Sequence, residues 1–284
     1  MIELSRFIGS ERGVEKAKIV LFGIPYDATS SFRSMSRNGM KMMRLISEDA
    51  IEEFSFAQQK GLDDVAFFDA GDMELMVGDP ALMITSVERE LESSLFENRM
   101  PLGVGGEHLV SLPLIQHALK KHPNLTILQL DAHADLRPAY AGQTLSHASV
   151  MRLALDAGVK KLVQLGVRSG DRDEFEMRKS DNRIALATSV NEAIDAFAAD
   201  EEIYLTIDMD YFDPASVPGT GTPEAGGATF DDFLNVINGL VEKNINIVGA
   251  DITELAPELD SSGRSTVFGA KVLRELLIAI GSFV

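Results

Sequence analysis

Two carboxylates and one imidazole alternate in the sequence DAHAD at residues 131–135, directly after the apolar run 125–130. Alternate side chains of an extended chain point the same way, so we expect Asp131, His133 and Asp135 to share one side. Like charges that gather at the end of an apolar strand repel each other and resist desolvation. Because a bound cation offsets both penalties, the segment predicts a metal site.

A second acidic group repeats this pattern farther along the chain. Asp208 and Asp210 follow the apolar run 203–207 and lie two residues apart, on one side of an extended chain. Asp213 precedes a proline, which is typical of a turn. One Asp-x-Asp pair indicates little by itself, but two alternating clusters at two strand ends together indicate metal ligation.

The third group is a glycine-rich turn that ends in histidine. The sequence GVGGEH at residues 103–108 begins like a dinucleotide-binding fingerprint, but His108 occupies the position of the third glycine, which excludes that interpretation. Glycines allow a tight turn and close approach of the backbone. We therefore expect His108 to begin a helix and to point towards the same site.

Together these segments offer four carboxylates and two imidazoles, from His108, Asp131, His133, Asp135, Asp208 and Asp210. One ion seldom needs four carboxylates, whereas two ions can share bridging ones. Oxygen-rich ligation without thiolates suits Mn²⁺ better than copper or structural zinc. Two such ions about 3.5–4 Å apart can generate hydroxide from water at neutral pH, which predicts metal-assisted hydrolysis.

Two further residues suit a hydrolytic reaction. His147 is predicted at a helix start and can relay protons near neutral pH, because imidazole titrates in that range. Glu254 follows a predicted strand and can pair with a cationic substrate. From their own sequence context, both are equally consistent with an ordinary surface position. His117 and His122 have no partner pattern and are interpreted as non-functional.

The elements that must position these residues alternate along the chain. Apolar runs predict strands at 18–23, 65–69, 101–104, 125–131, 161–167, 183–187, 203–208 and 245–251. Helical periodicity predicts helices at 81–97, 109–121, 147–157, 191–199, 230–243 and 266–280. We therefore predict an α/β fold, a three-layer αβα arrangement with a mostly parallel sheet, in one domain over residues 1–284. Ligands of such sheets bind outside the carboxyl ends of the strands.

The composition excludes several classes of protein. The absence of cysteine excludes disulfides, thiolate-zinc sites and a cysteine nucleophile, and it fits a reducing cytoplasm. No apolar stretch approaches the roughly 20 residues of a membrane span, and no signal peptide is recognisable, so no membrane partner is expected. The net charge of −18 argues against nucleic-acid binding. The same charge suits metal ions or a cationic substrate.

Five segments, taken in order, resemble the ureohydrolase family of arginases and agmatinases. They are GVGGEH at 103–108, DAHAD at 131–135, DMDYFDP at 208–214, PGTGTPEAGG at 218–227 and DITELAP at 251–257. The resemblance implies an arginase-like fold and a site for two Mn²⁺ ions per subunit. It implies that one ion is held by His108, Asp131, Asp135 and Asp208, and the other by Asp131, His133, Asp208 and Asp210. Asp131 and Asp208 would then be the bridging ligands.

The resemblance also implies a reaction and an assembly. Glu254 is implied as the guanidinium partner and His147 as the proton shuttle. Our hypothesis is that a metal-bridging hydroxide, oriented by Asp135, attacks the guanidinium carbon, and that the tetrahedral intermediate collapses to urea and an amine. His147 then supplies the proton of the leaving amine. The family also suggests a homo-oligomer, either a trimer or a hexamer.

Within the family the chain looks most like agmatinases. Glu224 in the segment 218–227 is typical of them, and Arg137 stands where arginases have the asparagine that reads the substrate carboxylate. Agmatine, giving urea and putrescine, is therefore the preferred small cationic substrate. One alternative is a related amidinohydrolase that acts on N1-aminopropylagmatine, arginine, guanidinobutyrate, formiminoglutamate or the proclavaminate precursor. The others are a catalytically inert metal-binding homologue and a single-ion zinc deacetylase of related architecture.

One segment departs from the agmatinase pattern. In residues 32–44, Met35 replaces the first glycine of the family motif and Met40 replaces its proline. Because methionine does not take the positive φ that glycine allows, we expect a different loop, with effects on pocket shape and subunit contacts. The methionine-rich run itself indicates the packing face of a helix.

Overall fold

The computed structural model describes residues 5–76 and 78–283, and one eight-stranded sheet forms its centre. The sheet strands are β1 (Ile19–Ile24), β4 (Phe67–Asp72), β5 (Met100–Gly105), β6 (Thr126–Leu130), β7 (Lys161–Leu165), β8 (Ile184–Ala187), β9 (Glu202–Asp208) and β10 (Asn246–Thr253). A short hairpin, β2 (Phe54–Ser55) and β3 (Lys60–Gly61), lies outside it. Every pairing in the sheet is parallel, in the order β4-β1-β5-β10-β9-β6-β7-β8.

Helices cover both faces of the sheet. They are α1 (Gly39–Ala50), α2 (Pro80–Leu91), α3 (Ser111–Lys121), α4 (Val150–Asp156), α5 (Arg172–Ser180), α6 (Val190–Asp195), α7 (Phe230–Glu242) and α8 (Arg264–Ile280). One hydrophobic core contains side chains of α1, α6, α7 and α8, and the other contains side chains of α2, α3 and α4. Strands such as β1, β5 and β6 are buried along their whole length because both faces are covered.

The predicted fold class is confirmed, because all eight predicted strands form one parallel sheet between two helical layers. The helix α5 was not among the predicted elements. Charged residues dominate its sequence and only Glu174 is buried, so its hydrophobic periodicity is weak. The prediction of one domain over residues 1–284 stays a prediction. No helix in the described ranges has the length and apolarity of a membrane span.

The expectation that methionine avoids a positive φ at position 35 is wrong. Met35 has φ 122°, and its backbone N–H donates to Asp27 at 2.9 Å. Asp27 is buried and also accepts from the Arg37 guanidinium at 2.6 Å, so an ion pair inside the loop holds this unfavourable backbone conformation. Met40 is buried in the first turn of α1, as the predicted packing face requires.

Candidate metal centre

The predicted ligands meet because the strands that precede them are neighbours in the sheet. Strands β5, β10, β9 and β6 lie side by side although they are far apart in sequence. Each ends at the same edge and is followed there by a functional candidate: His108 after β5, Glu254 after β10, Asp208 at the end of β9 and Asp131 after β6. The edge is therefore the carboxyl-end site that an open parallel sheet provides.

Three aspartates surround the buried imidazole of His108. Its Nδ1 lies 3.0 Å from Asp131 Oδ2, 2.9 Å from Asp135 Oδ2 and 3.4 Å from Asp208 Oδ2. All four side chains are almost completely buried. His108, Asp131 and Asp135 offer ligand atoms close enough together for one cation, and Asp208 lies beside them.

A second group shares Asp131 with the first. His133 Nδ1 lies 2.8 Å from Asp210 Oδ2 and 3.7 Å from Asp131 Oδ1. Asp131, His133 and Asp210 together offer ligand atoms close enough for one ion. Because Asp131 belongs to both groups, the cluster has the arrangement that two neighbouring ions with a bridging carboxylate require.

Backbone geometry holds these side chains in place. Asp135 has φ 52°, and its carbonyl accepts from the N–H groups of Met151 and Arg152 in the first turn of α4. The GVGGEH turn passes so close to the segment after β1 that a Cβ on Gly106 would overlap the carbonyl group of Tyr26. Gly106 is therefore needed for the approach that places His108 at the site.

The electrostatics of the cluster favour a cation. Burial, together with repulsion from Asp135 and Asp210, raises the pKa of Asp131 to about 7. Burial also raises the pKa of Asp208 well above its ordinary value, with repulsion from Asp210 and Asp131 adding to it. Although burial alone lowers the pKa of His133, its bond to Asp210 and the nearby carboxylates raise it to about 11. Protons thus supply the positive charge that metal ions can supply instead.

The hydrogen bonds behind His108 leave Nδ1 free to ligate a metal. Asp251 is buried and accepts from the Tyr204 hydroxyl at 2.6 Å and from the Thr206 hydroxyl at 2.7 Å. Thr206 therefore accepts from His108 Nε2, which lies 2.8 Å away. In the neutral ring the proton is held on Nε2 and the Nδ1 lone pair faces the aspartates, and Nδ1 makes no well-aligned hydrogen bond to any residue in the described ranges. This donor set fits a divalent cation.

A buried amide supports Asp131 in the same way. Gln129 Nε2 donates to Asp131 Oδ2 at 2.7 Å, and Gln164 Nε2 donates to Gln129 Oε1 at 2.6 Å. Sequence reasoning missed Gln129, Gln164 and Thr206, because polar residues inside apolar strands have no motif of their own. Asp251 was recognisable only as one of several carboxylates at strand ends.

A cavity of about 220 Å³ opens onto the cluster and contains the two remaining predicted residues. Glu254 is buried beside it, has φ 62°, and accepts from the backbone N–H of His108 at 3.0 Å. Burial raises the pKa of Glu254 well above its ordinary value, and repulsion from Glu107 adds to this effect. A cationic group in the cavity would offset that cost.

His147 begins a 3₁₀ turn before α4 and lines the same cavity. Its Nε2 lies 2.7 Å from the Ser31 hydroxyl, and its ring packs edge-on against Tyr140. Burial lowers its pKa below the ordinary value, which favours the neutral imidazole. Sequence reasoning missed Ser31, which follows β1 in a loop without a recognisable motif.

Arg137, which stands where arginases have an asparagine, forms ion pairs with two carboxylates. Arg137 Nε lies 3.3 Å from Glu174 Oε2 and Nη1 lies 3.5 Å from Asp171 Oδ2, while the guanidinium stacks on Tyr140. Glu174 is buried and also accepts from the Leu136 N–H at 3.0 Å. The positive charge of Arg137 at this wall of the cavity is therefore already balanced by carboxylates of the protein.

Taken together, fold and site define a three-layer α/β protein with a carboxylate-rich cluster able to hold metal at the end of a parallel sheet. The chain belongs to the arginase family, whose model matches residues 17–279. It is 40% identical to an agmatinase of Halalkalibacterium halodurans over 96% of this chain and 95% of that protein. It is 35% identical to the N(1)-aminopropylagmatine ureohydrolase of Thermococcus kodakarensis, over 86% and 84% of the two chains.

A solved structure extends the likeness to three dimensions. The agmatine ureohydrolase of Thermoplasma volcanium has a TM-score of 0.85, with 29% identity over 100% of this chain and 96% of that one. The resemblance predicted from the sequence motifs is thus confirmed, and with it an agmatinase-like ureohydrolase as the kind of enzyme. The roles of the individual residues stay predictions.

Proposed function

We propose that this protein hydrolyses the guanidino group of agmatine to urea and putrescine with two Mn²⁺ ions per subunit. The observation that carries the proposal is the convergence of six buried or half-buried ligand side chains around a shared carboxylate, next to a cavity that contains Glu254 and His147. The similarity to agmatinases supports the choice of reaction.

The six side chains divide between two metal positions. His108 and Asp135 serve one, His133 and Asp210 serve the other, and Asp131 and Asp208 serve both. Oxygen-rich ligation with two imidazoles and no thiolate suits Mn²⁺. When bound, the two ions supply Lewis-acid chemistry that makes water nucleophilic at neutral pH.

The remaining residues bind the substrate and move protons. The Glu254 carboxylate pairs with the guanidinium, and Asp135 accepts a hydrogen bond that orients the attacking water. His147 is neutral before the reaction, so it can accept a proton and then donate it to the leaving amine. His147 and the ligand cluster line the same cavity.

Substrate choice rests on the paired state of Arg137. A substrate carboxylate needs a free cation or polar donor at this wall, but Glu174 and Asp171 already neutralise the guanidinium. A substrate without a carboxylate loses nothing there. Agmatine and N1-aminopropylagmatine both meet this condition, whereas arginine and guanidinobutyrate do not.

A panel of urea-release assays on the manganese-loaded protein tests this proposal. We expect kcat/KM for agmatine to exceed that for arginine and guanidinobutyrate by at least about 10-fold, because a substrate carboxylate at this partly exposed wall would meet a guanidinium that two carboxylates already pair. A higher kcat/KM for N1-aminopropylagmatine than for agmatine would instead make the protein an N1-aminopropylagmatine ureohydrolase of the same family. Urea release from none of these compounds, with two Mn²⁺ bound, would support the inert-homologue alternative.

Assembly and location remain predictions from the family resemblance and the composition. We propose a homo-oligomer, a trimer or hexamer, in the cytoplasm. Light scattering on the purified protein tests the first proposal, and fractionation of the source cells tests the second.

A further inference from the structure

Two residues without an assigned part in the reaction are hydrogen-bonded to each other and, through one of them, to His147. Glu107, inside the GVGGEH turn, is fully buried. Both of its carboxylate oxygens accept from Thr29, which lies in the loop after β1: Oε2 from the backbone N–H at 2.6 Å and Oε1 from the hydroxyl. The Thr29 hydroxyl oxygen in turn lies 3.5 Å from His147 Nδ1 and 3.3 Å from the His147 backbone N.

The direction of these hydrogen bonds fixes the tautomer of His147. The Thr29 hydroxyl donates to Glu107 Oε1 and its oxygen accepts from the His147 backbone N–H, so the lone pairs of that oxygen face His147. The backbone N–H and Nδ1–H of His147 then donate to that oxygen. Nε2 consequently has no proton, and the Ser31 hydroxyl, 2.7 Å away, donates to it from the side of the cavity.

We propose that Glu107 and Thr29 are positioning residues that hold His147 with its basic nitrogen, Nε2, directed into the cavity. The inference rests on the proposed function, because it requires that His147 transfers protons in the reaction. A histidine ring without such a contact can rotate or change tautomer, and either change removes the basic nitrogen from the leaving group. Carboxylate partners of functional histidines have this effect in many sites.

Three single-residue variants of the loop separate positioning from a purely structural contact. Thr29→Val removes the hydroxyl at nearly constant volume, and Thr29→Ser restores it. Ser30→Ala is the matched control, because the Ser30 hydroxyl has no hydrogen-bond partner in the described part of the chain. We expect Thr29→Val to lower kcat for agmatine about 10–100-fold. KM and manganese content should stay within about twofold of the parental values, and the melting temperature within a few degrees. Thr29→Ser and Ser30→Ala should keep parental kcat.

A double-mutant cycle with His147→Ala tests whether Thr29 acts through the histidine. If it does, adding Thr29→Val to His147→Ala lowers kcat by no more than about twofold further. A full 10–100-fold loss in the His147→Ala background overturns the inference while leaving the shuttle intact. Parental kcat in Thr29→Val also overturns it. Parental turnover in His147→Ala itself contradicts the proposed role of His147, and the inference then fails with it.

Discussion

Replacing Asp131 with asparagine is expected to abolish urea release and to lower the manganese content below two ions per chain. Asp131 contacts both imidazoles of the cluster, so its charge serves both metal positions. Removing a group that only supports a metal ligand lowers metal affinity or activity about 10–100-fold, and removing a shared ligand should lower both by more than that. Urea release and metal analysis by mass spectrometry measure the two effects on the same sample.

Asp213→Asn is the matched control for this substitution. Asp213 follows the same strand as Asp208 and Asp210, but its carboxylate accepts from the Ala215 N–H in a turn. The control should retain two ions and parental activity. An Asp131→Asn protein that still binds two ions and releases urea at the parental rate would show that the metals lie elsewhere.

Replacing His147 with alanine is expected to lower kcat about 10²–10⁴-fold at neutral pH while two ions remain bound. This range is what general acid–base catalysis contributes in enzymes. The side chain lines the cavity but belongs to neither ligand group, so metal content and substrate binding should be largely unchanged. Steady-state kinetics with agmatine, together with metal analysis, separates the loss of proton transfer from a loss of metal.

His122→Ala serves as the histidine control. His122 follows α3 and pairs with Glu202, outside the cavity. Its replacement should leave kcat and KM within about twofold of the parental values. Full turnover by His147→Ala at neutral pH would show that another group protonates the leaving amine.

The sequence was sufficient to predict those features that depend on neighbouring residues, namely the alternating ligands and the apolar strands. DAHAD at 131–135 and DMD at 208–210 place ligands at alternate positions, and β6 and β9 have the apolar runs that predict buried strands. Since parallel strands end at one sheet edge, the motifs predict that Asp131, Asp208 and His108 lie at the same edge. The sheet order that makes their strands neighbours is not encoded in the order of the motifs along the chain.

Other features depend on contacts between distant segments and could not be read from local pattern. Thr29, Glu107 and His147 are linked across 118 residues, and no spacing rule connects them. Met35 takes a positive φ because Asp27 and Arg37 hold the loop, which the sequence of residues 32–44 does not reveal. Similarly, the ion pair between Arg137 and Glu174 could not be predicted, because it depends on where α5 lies. The charged sequence of α5 obscures its helical periodicity.

The net charge of −18 acquires a more specific meaning in this structure. Five carboxylates gather at the carboxyl edge of the sheet, those of Asp131, Asp135, Asp208, Asp210 and Glu254. Two bound Mn²⁺ ions and one guanidinium would balance them. The position of these acidic groups, rather than the total charge, thus suits the protein to metal ions and a cationic substrate.

Titration of metal-free protein with Mn²⁺, with the rate of urea release from agmatine as the readout, tests the central claim most directly. We predict negligible activity without metal and a rise that reaches its plateau at two equivalents of Mn²⁺ per chain. Full activity without added metal, a plateau at one equivalent, or no urea at any ratio would contradict a two-manganese ureohydrolase acting on agmatine.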